Sequence, residues 1–181
     1  MIRSLGMFAL AALMGGWNLG CATAPATSGE KQALIDDSNG SLRQMRSADP
    51  SLDKFLSRAW GYAIFPGVGK GGLIAGGSYG RGVVYEKGQV LGFSDLTQAT
   101  VGLQAGGQSF SELIVFETRT DLNRFTAGRL ALAANLSAVA LKSGAADTAR
   151  YTDGVAVFVQ PIGGLMFEAA VGGQQFTFVP R

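Results

Sequence analysis

Apolar and polar positions change rhythm along this chain, and the change divides helix from sheet. Leu34, Leu42 and Met45 fall on one stripe at helical spacing. They predict a helix over 32–46, with Gly40 weakening it by up to about 1 kcal/mol relative to alanine. A second helix is expected to start at Asp49 as N-cap, with Pro50 in its first turn and Asp53 near its positive end. Leu52, Phe55, Leu56 and Ala59 recur at helical spacing there, and Lys54 and Arg58 sit on the other side. From Trp60 onward the signal is strand-like. Eleven glycines between Gly61 and Gly92 are interleaved with Ile64, Phe65, Val68, Leu73, Ile74, Val83 and Val84, where a flexible linker would carry Ser, Gln and charge. Glycines among apolar residues predict strands that bend, bulge or approach another group closely.

Farther along, Val101, Leu103 and Ala105 alternate with Gly102 and Gln104, and 113–116 is a continuous apolar run. Gly106-Gly107 between them reads as a bend. Thr120 or Asp121 is expected to cap a short helix through Leu122 and Phe125, closed by Gly128. Leu130, Leu132, Ala134, Leu136 and Ala138 alternate at strand period, although their alanines leave a helix open. Stretches 155–159, 165–171 and 176–179 read as closing strands, separated by turns at 161–164 and at Gly172-Gly173. The expected class is α+β: N-terminal helices packed on a glycine-rich, mainly antiparallel β-sheet or partly closed β-barrel.

The first twenty residues read as an export signal, with Arg3, an apolar core over 5–14 and small residues after it. A membrane span needs about 20 nearly continuous apolar residues, and Gly6, Gly15, Gly16 and Asn18 interrupt this stretch. The single cysteine, Cys21, follows Leu19-Gly20 in the manner of a bacterial lipobox, with Asn18 standing where an aliphatic residue is usual. Lipidation of Cys21 would anchor the chain, each buried methylene contributing about 0.8 kcal/mol. Ala22 after the cysteine points to the outer membrane, facing the periplasm; plain periplasmic secretion is the alternative. The expected organisation is a signal over 1–20, lipidated Cys21 and a tether over 21–31, and one domain over 32–181. One cysteine excludes an internal disulfide.

Charge and composition narrow the chemistry. Loss of Arg3 with the signal takes the formal charge from +2 to +1, which does not suit a nucleic-acid polycation. The sequence has no histidine, so Ser-His-Asp and Cys-His catalysis and the usual zinc sites are excluded. Glu112, Glu117 and Asp121 are the carboxylates that a paired-acid site would use, but Glu112 and Glu117 flank an apolar strand and are expected to face solvent. Gly67-Val68-Gly69-Lys70-Gly71-Gly72 matches a dinucleotide fingerprint. The helix it requires would contain Gly76, Gly77, Gly80 and Gly82, at a total cost of about 4 kcal/mol. A Walker loop fails because Gly71 follows Lys70 and Ile64 stands in place of the first glycine. No catalytic residue, metal or cofactor is expected.

The order Ala63-Ile64-Phe65-Pro66, Val68, Gly69-Lys70-Gly71-Gly72, and Gly76-Gly77-Ser78-Tyr79-Gly80-Arg81-Gly82-Val83 resembles the SYLF domain, a lipid-binding family. The likeness continues through the stretches 101–108 and 113–116 and covers roughly 52–178. It departs at 158–167, where the family's paired serines are missing, so no role is carried over for them. The resemblance implies binding of phosphorylated or anionic lipid headgroups, with phosphatidylglycerol or cardiolipin as the bacterial ligands, and the missing histidine argues for a non-enzymatic role. Lys70 falls on the family's lysine, with the backbone N–H groups of Gly69, Gly71 and Gly72 open to phosphate oxygens. Arg81, between Gly80 and Gly82, would add a forked contact to the same headgroup. Read from the residues alone, Lys70 and Arg81 are equally solvated charges on hairpin turns. Lys54 and Arg58 offer a second basic surface to an anionic membrane, although their helix more naturally packs on its own domain. Trp60, Tyr62 and Phe65 are expected in the core. The competing reading is a structural envelope lipoprotein that contacts a protein partner through its sheet edges.

Overall fold

The computed structural model of the protein describes residues 25–72, 75–101, 108–130, 132, 138–163 and 173–181. Helix α1 runs Ser28–Ala48 and α2 runs Leu52–Arg58. Strands β1 (Gly61–Gly72), β2 (Ala75–Glu86), β3 (Gln89–Val101) and β4 (Gln108–Phe116) follow. Then come α3 (Arg119–Thr126), β5 (Val139–Ala140), α4 (Ala145–Thr148), β6 (Val155–Gly163) and β7 (Gln175–Pro180). The strands form one seven-stranded sheet in the order β5-β6-β4-β1-β2-β3-β7. Every pairing is antiparallel except the short β5–β6 contact. The sheet is open. Its outer strands β5 and β7 do not meet, so the partly closed barrel is corrected.

Each face of the sheet carries its own core. Met45, Leu52, Ile64, Val83, Phe93, Leu113, Val115 and Phe158 lie under α1, α2 and α4. Phe65, Val68, Leu96, Phe110, Ile114, Phe116, Val157 and Phe176 lie on the opposite face, with Leu122 and Phe125 of α3. There Phe125 contacts Phe116 and Phe176, with ring centroids 5.0 Å apart in both pairs. No helix among the described residues is long and apolar enough to cross a membrane.

Local chemistry accounts for the element ends. The tether expected through residue 31 is shorter, because Thr27 and Glu30 form a capping box that starts α1 at Ser28. Asp49 is not the N-cap of α2, whose N-cap is Ser51. The Asp49 carboxylate accepts from the Ser51 N–H at 3.1 Å and also from the amides of Gly144 and Ala146. Thr118, not Thr120, caps α3, and Asp121 answers it from the third helical position. Gly128, with φ of 64°, closes α3 as expected. Positions 161–163 continue β6 rather than turning. The readings at Leu103, Ala105, Gly106-Gly107, Ala134, Leu136, 165–171 and Gly172, and the lipidation of Cys21, lie outside the described residues.

The glycine-rich stretch is bulged as its composition predicts. Register shifts between Ile64 and Gly67 against β2, and between Phe65 and Val68 against β4. Pro66, which has no N–H to donate to a ladder, sits inside this irregularity, and the Ser111 hydroxyl donates to its carbonyl at 2.9 Å. The inserted residue lets Phe65 and Val68, three positions apart, reach the same core.

Candidate functional site

Strand parity decides which of the expected cations can act together. Lys70 is a strand residue, not a turn residue, and pairs across to Ser78 on β2 and Gln108 on β4. Ser78 pairs in turn with Gln98 on β3, its hydroxyl 3.1 Å from Gln98 Oε1. These four polar residues form a row on the α3 face, one step beyond the apolar row Phe110–Val68–Gly80–Leu96. Lys70 is half-buried and has no ion-pair partner among the described residues.

Arg81 is three residues from Ser78 along β2 and therefore projects from the other face. It is exposed and lies across from Asp95 on β3. Burial pushes the Asp95 carboxyl up, and the Arg81 charge and Tyr79 draw it part of the way back. Lys70 and Arg81 are thus separated by the thickness of the sheet, and the structure does not bring them to one headgroup.

On the face shared by Arg81, the end of the sheet beyond α1 is bare. An added Cβ at Gly67, Gly69 or Gly71 would meet nothing within 4 Å. Tyr79, directly across from Gly69, is 48% exposed, and Ile162 on β6 is 57% exposed. These two are the exposed large apolar side chains among the described residues. They border one open groove of about 590 Å³ with Pro66, Gly67, Arg81 and Ser111 of the sheet and Asp37 and Ser41 of α1. Neither Tyr79 nor Ile162 stood out in the sequence. Tyr79 is masked by its glycines, and Ile162 sits in a Gln-Pro-Ile-Gly-Gly stretch that imitates a turn.

Lys54 and Arg58 belong to the other end of the molecule. From Gly61, near α2, to Lys70 is nine residues of strand, roughly 30 Å. Phe55 of α2 packs edge-on against Phe158 at 5.2 Å, and Leu52 is fully buried, so α2 spends its apolar stripe on its own domain. Lys54 pairs with Asp147. Of the three aromatics expected inside, Phe65 is fully buried and Tyr62 stacks on Tyr85 at 4.8 Å. Trp60 stays at the rim, donating from Nε1 to Glu86 at 2.9 Å beneath the Lys87 ammonium.

The three candidate carboxylates do not converge. Glu117 is exposed, and Asp121 is engaged in the α3 cap. Glu112 is fully buried, which overturns its solvent-facing reading, and burial raises its pKa to about 8 against a weak opposing hydrogen bond from Gln174. Among the described residues no group of acidic or cysteine side chains could hold a metal ion. The fingerprint glycines 67–72 lie in β1, and the next described element is β2, not a helix.

No protein-family model matches this chain. It is 25% identical over 154 residues to beta cell expansion factor A of Aeromonas veronii, an alignment covering 84% of this chain. The chain spans 59% of that relative's length, so the likeness is distant and partial.

Proposed function

We propose that this chain is a SYLF-type, non-enzymatic lipid-binding protein of the bacterial envelope, anchored through Cys21, whose hairpin end meets anionic phospholipid headgroups. One observation carries the reading. The sheet end that bears Lys70, a cation with no ion-pair partner among the described residues, also bears Tyr79 and Ile162 exposed beside a strip of uncovered glycines. The backbone of Gly69, Gly71 and Gly72 is paired into the sheet rather than open to phosphate, so the Lys70 ammonium is the group that suits a phosphate oxygen, while Tyr79 and Ile162, on the Arg81 face, suit the first methylenes below a second headgroup. Lys70 and Arg81 contact separate headgroups in this arrangement, because they leave opposite faces. Phosphatidylglycerol and cardiolipin are the lipids of choice. Lys54 and Arg58, at the far end, take no part.

Vesicle flotation of the Cys21→Ser chain tests the reading. Binding to phosphatidylglycerol or cardiolipin vesicles, weaker binding to phosphatidylcholine, and loss in Lys70→Glu are expected. Equal binding to both compositions, or none, would remove the lipid reading. A single dominant protein adduct on crosslinking in intact cells would instead favour a structural envelope protein, with the outer edge of β7 as the docking strand.

A further inference from the structure

At the end of the sheet away from Lys70, a cavity of about 490 Å³ opens between α2, α4 and the segment leading into β6. That volume lies within the range of small-molecule sites. Phe55 and Tyr151 form an aromatic wall, their ring centroids 5.1 Å apart. Three of the charges at its rim are already used. Lys54 pairs with Asp147, and the Arg150 guanidinium donates to the carbonyls of Thr148 and Ala149 at 3.3 and 2.8 Å.

Two charges of opposite sign remain. Arg58 and Glu117 both line the cavity, and neither has an ion-pair partner among the described residues. The Tyr151 ring lines the cavity, while its hydroxyl is buried with no hydrogen-bond partner among the described residues. Burial raises the pKa of this phenol, the Glu117 charge raises it further, and the Arg58 charge pulls it back.

We infer that this cavity binds a small zwitterion, its carboxylate or phosphate held by Arg58, its primary ammonium by Glu117, and its apolar part on the rings of Phe55 and Tyr151. A simple anion would leave Glu117 opposed to it, and a simple cation would leave Arg58 so. The site stands apart from the proposed membrane contact, so either can fail without the other.

Calorimetric titration of the Cys21→Ser chain with three matched probes tests this. L-phenylalanine carries both charges, N-acetyl-L-phenylalanine lacks the ammonium, and phenethylamine lacks the carboxylate. The expected result is binding of L-phenylalanine or of O-phosphoethanolamine at least about tenfold tighter than of the single-charge probes. Glu117→Gln should then abolish discrimination against the acetylated probe, and Arg58→Gln discrimination against the amine. Phosphatidylethanolamine vesicles separate the two sources: binding that falls with Arg58→Gln assigns a lipid headgroup, and binding of the free compounds only assigns a soluble metabolite. Equal binding of all probes, no binding at about 10 mM, or discrimination unaffected by either charge substitution would overturn the inference.

Discussion

Asp49 Oδ2 accepts a hydrogen bond from the Ala146 amide at 2.7 Å, joining the corner between the first two helices to a segment 97 residues downstream. Oδ1 of the same carboxylate takes the Gly144 amide at 3.1 Å and the Ser51 hydroxyl at 2.6 Å. One side chain thus closes the helical layer over the sheet and shapes the wall of the zwitterion cavity.

Replacing it should be costly. Asp49→Ala leaves three amides and a hydroxyl without their acceptor, and is expected to lower unfolding free energy by about 2–3 kcal/mol in urea at pH 7. Burial alone would raise the Asp49 pKa, but the bonds from Ser51, Ala146 and Gly144 outweigh it and hold the group below 3.8. Its folded pKa is therefore the lower one. The contribution is present above about pH 4 and disappears as pH falls through the folded value. A loss under 0.5 kcal/mol on the order of ordinary surface changes would contradict this role.

Glu112 predicts the opposite pH dependence. Its folded pKa is raised from 4.5 to about 8 by burial, so its stabilising effect is complete below 4.5 and is lost as pH rises toward 8. Glu112 Oε1 and Gln174 Oε1 are both buried without partners among the described residues. Glu112→Gln carries no charge and can exchange two hydrogen bonds with the Gln174 amide. It should match the parent at pH 5 and exceed it by a few kcal/mol at pH 8. Parallel stability–pH curves for the two proteins would show that Glu112 does not titrate inside the core.

The glycines should separate into two functional groups. A Cβ at Gly82 would stand 2.5 Å from the Ile64 carbonyl oxygen and 2.6 Å from the Phe65 ring, so Gly82→Ala must displace the bulged strand. It is expected to cost about 1–3 kcal/mol, read as a lowered thermal midpoint. Gly69→Ala meets open space and should leave the midpoint within about 2 °C of the parent. A Gly69 variant as unstable as the Gly82 variant would mean that the bare strip is covered.

Much of this architecture was legible in the residues. The helical stripes gave α1 and α2, and glycines set among Ile64, Phe65 and Val83 gave bulged strands, because both signals arise from local spacing. The helix starts were misplaced: α1 was expected from residue 32, α2 from Asp49 and α3 from Thr120 or Asp121, whereas the capping boxes Thr27-x-x-Glu30 and Thr118-x-x-Asp121 start α1 and α3, and α2 starts after Ser51. Other features depend on tertiary position. Sheet parity sends Lys70 and Arg81 to opposite faces, and that parity follows from the β1–β2 register, Lys70 opposite Ser78 and Gly67 opposite Arg81, which spacing along the chain does not fix. Glu112 is buried because its strand is central, and Asp49 finds its amides only when residue 146 folds back to it.

The central claim is that the hairpin end of the sheet meets the membrane while the α2 end points away. In a Cys21→Ser background, an environment-sensitive fluorophore on Ile162→Cys and another on Ser57→Cys report the two ends separately. Adding phosphatidylglycerol vesicles should shift the residue 162 probe to the blue and leave the residue 57 probe unchanged. A shift at residue 57 alone, or at neither position while the protein floats with the vesicles, would contradict the account.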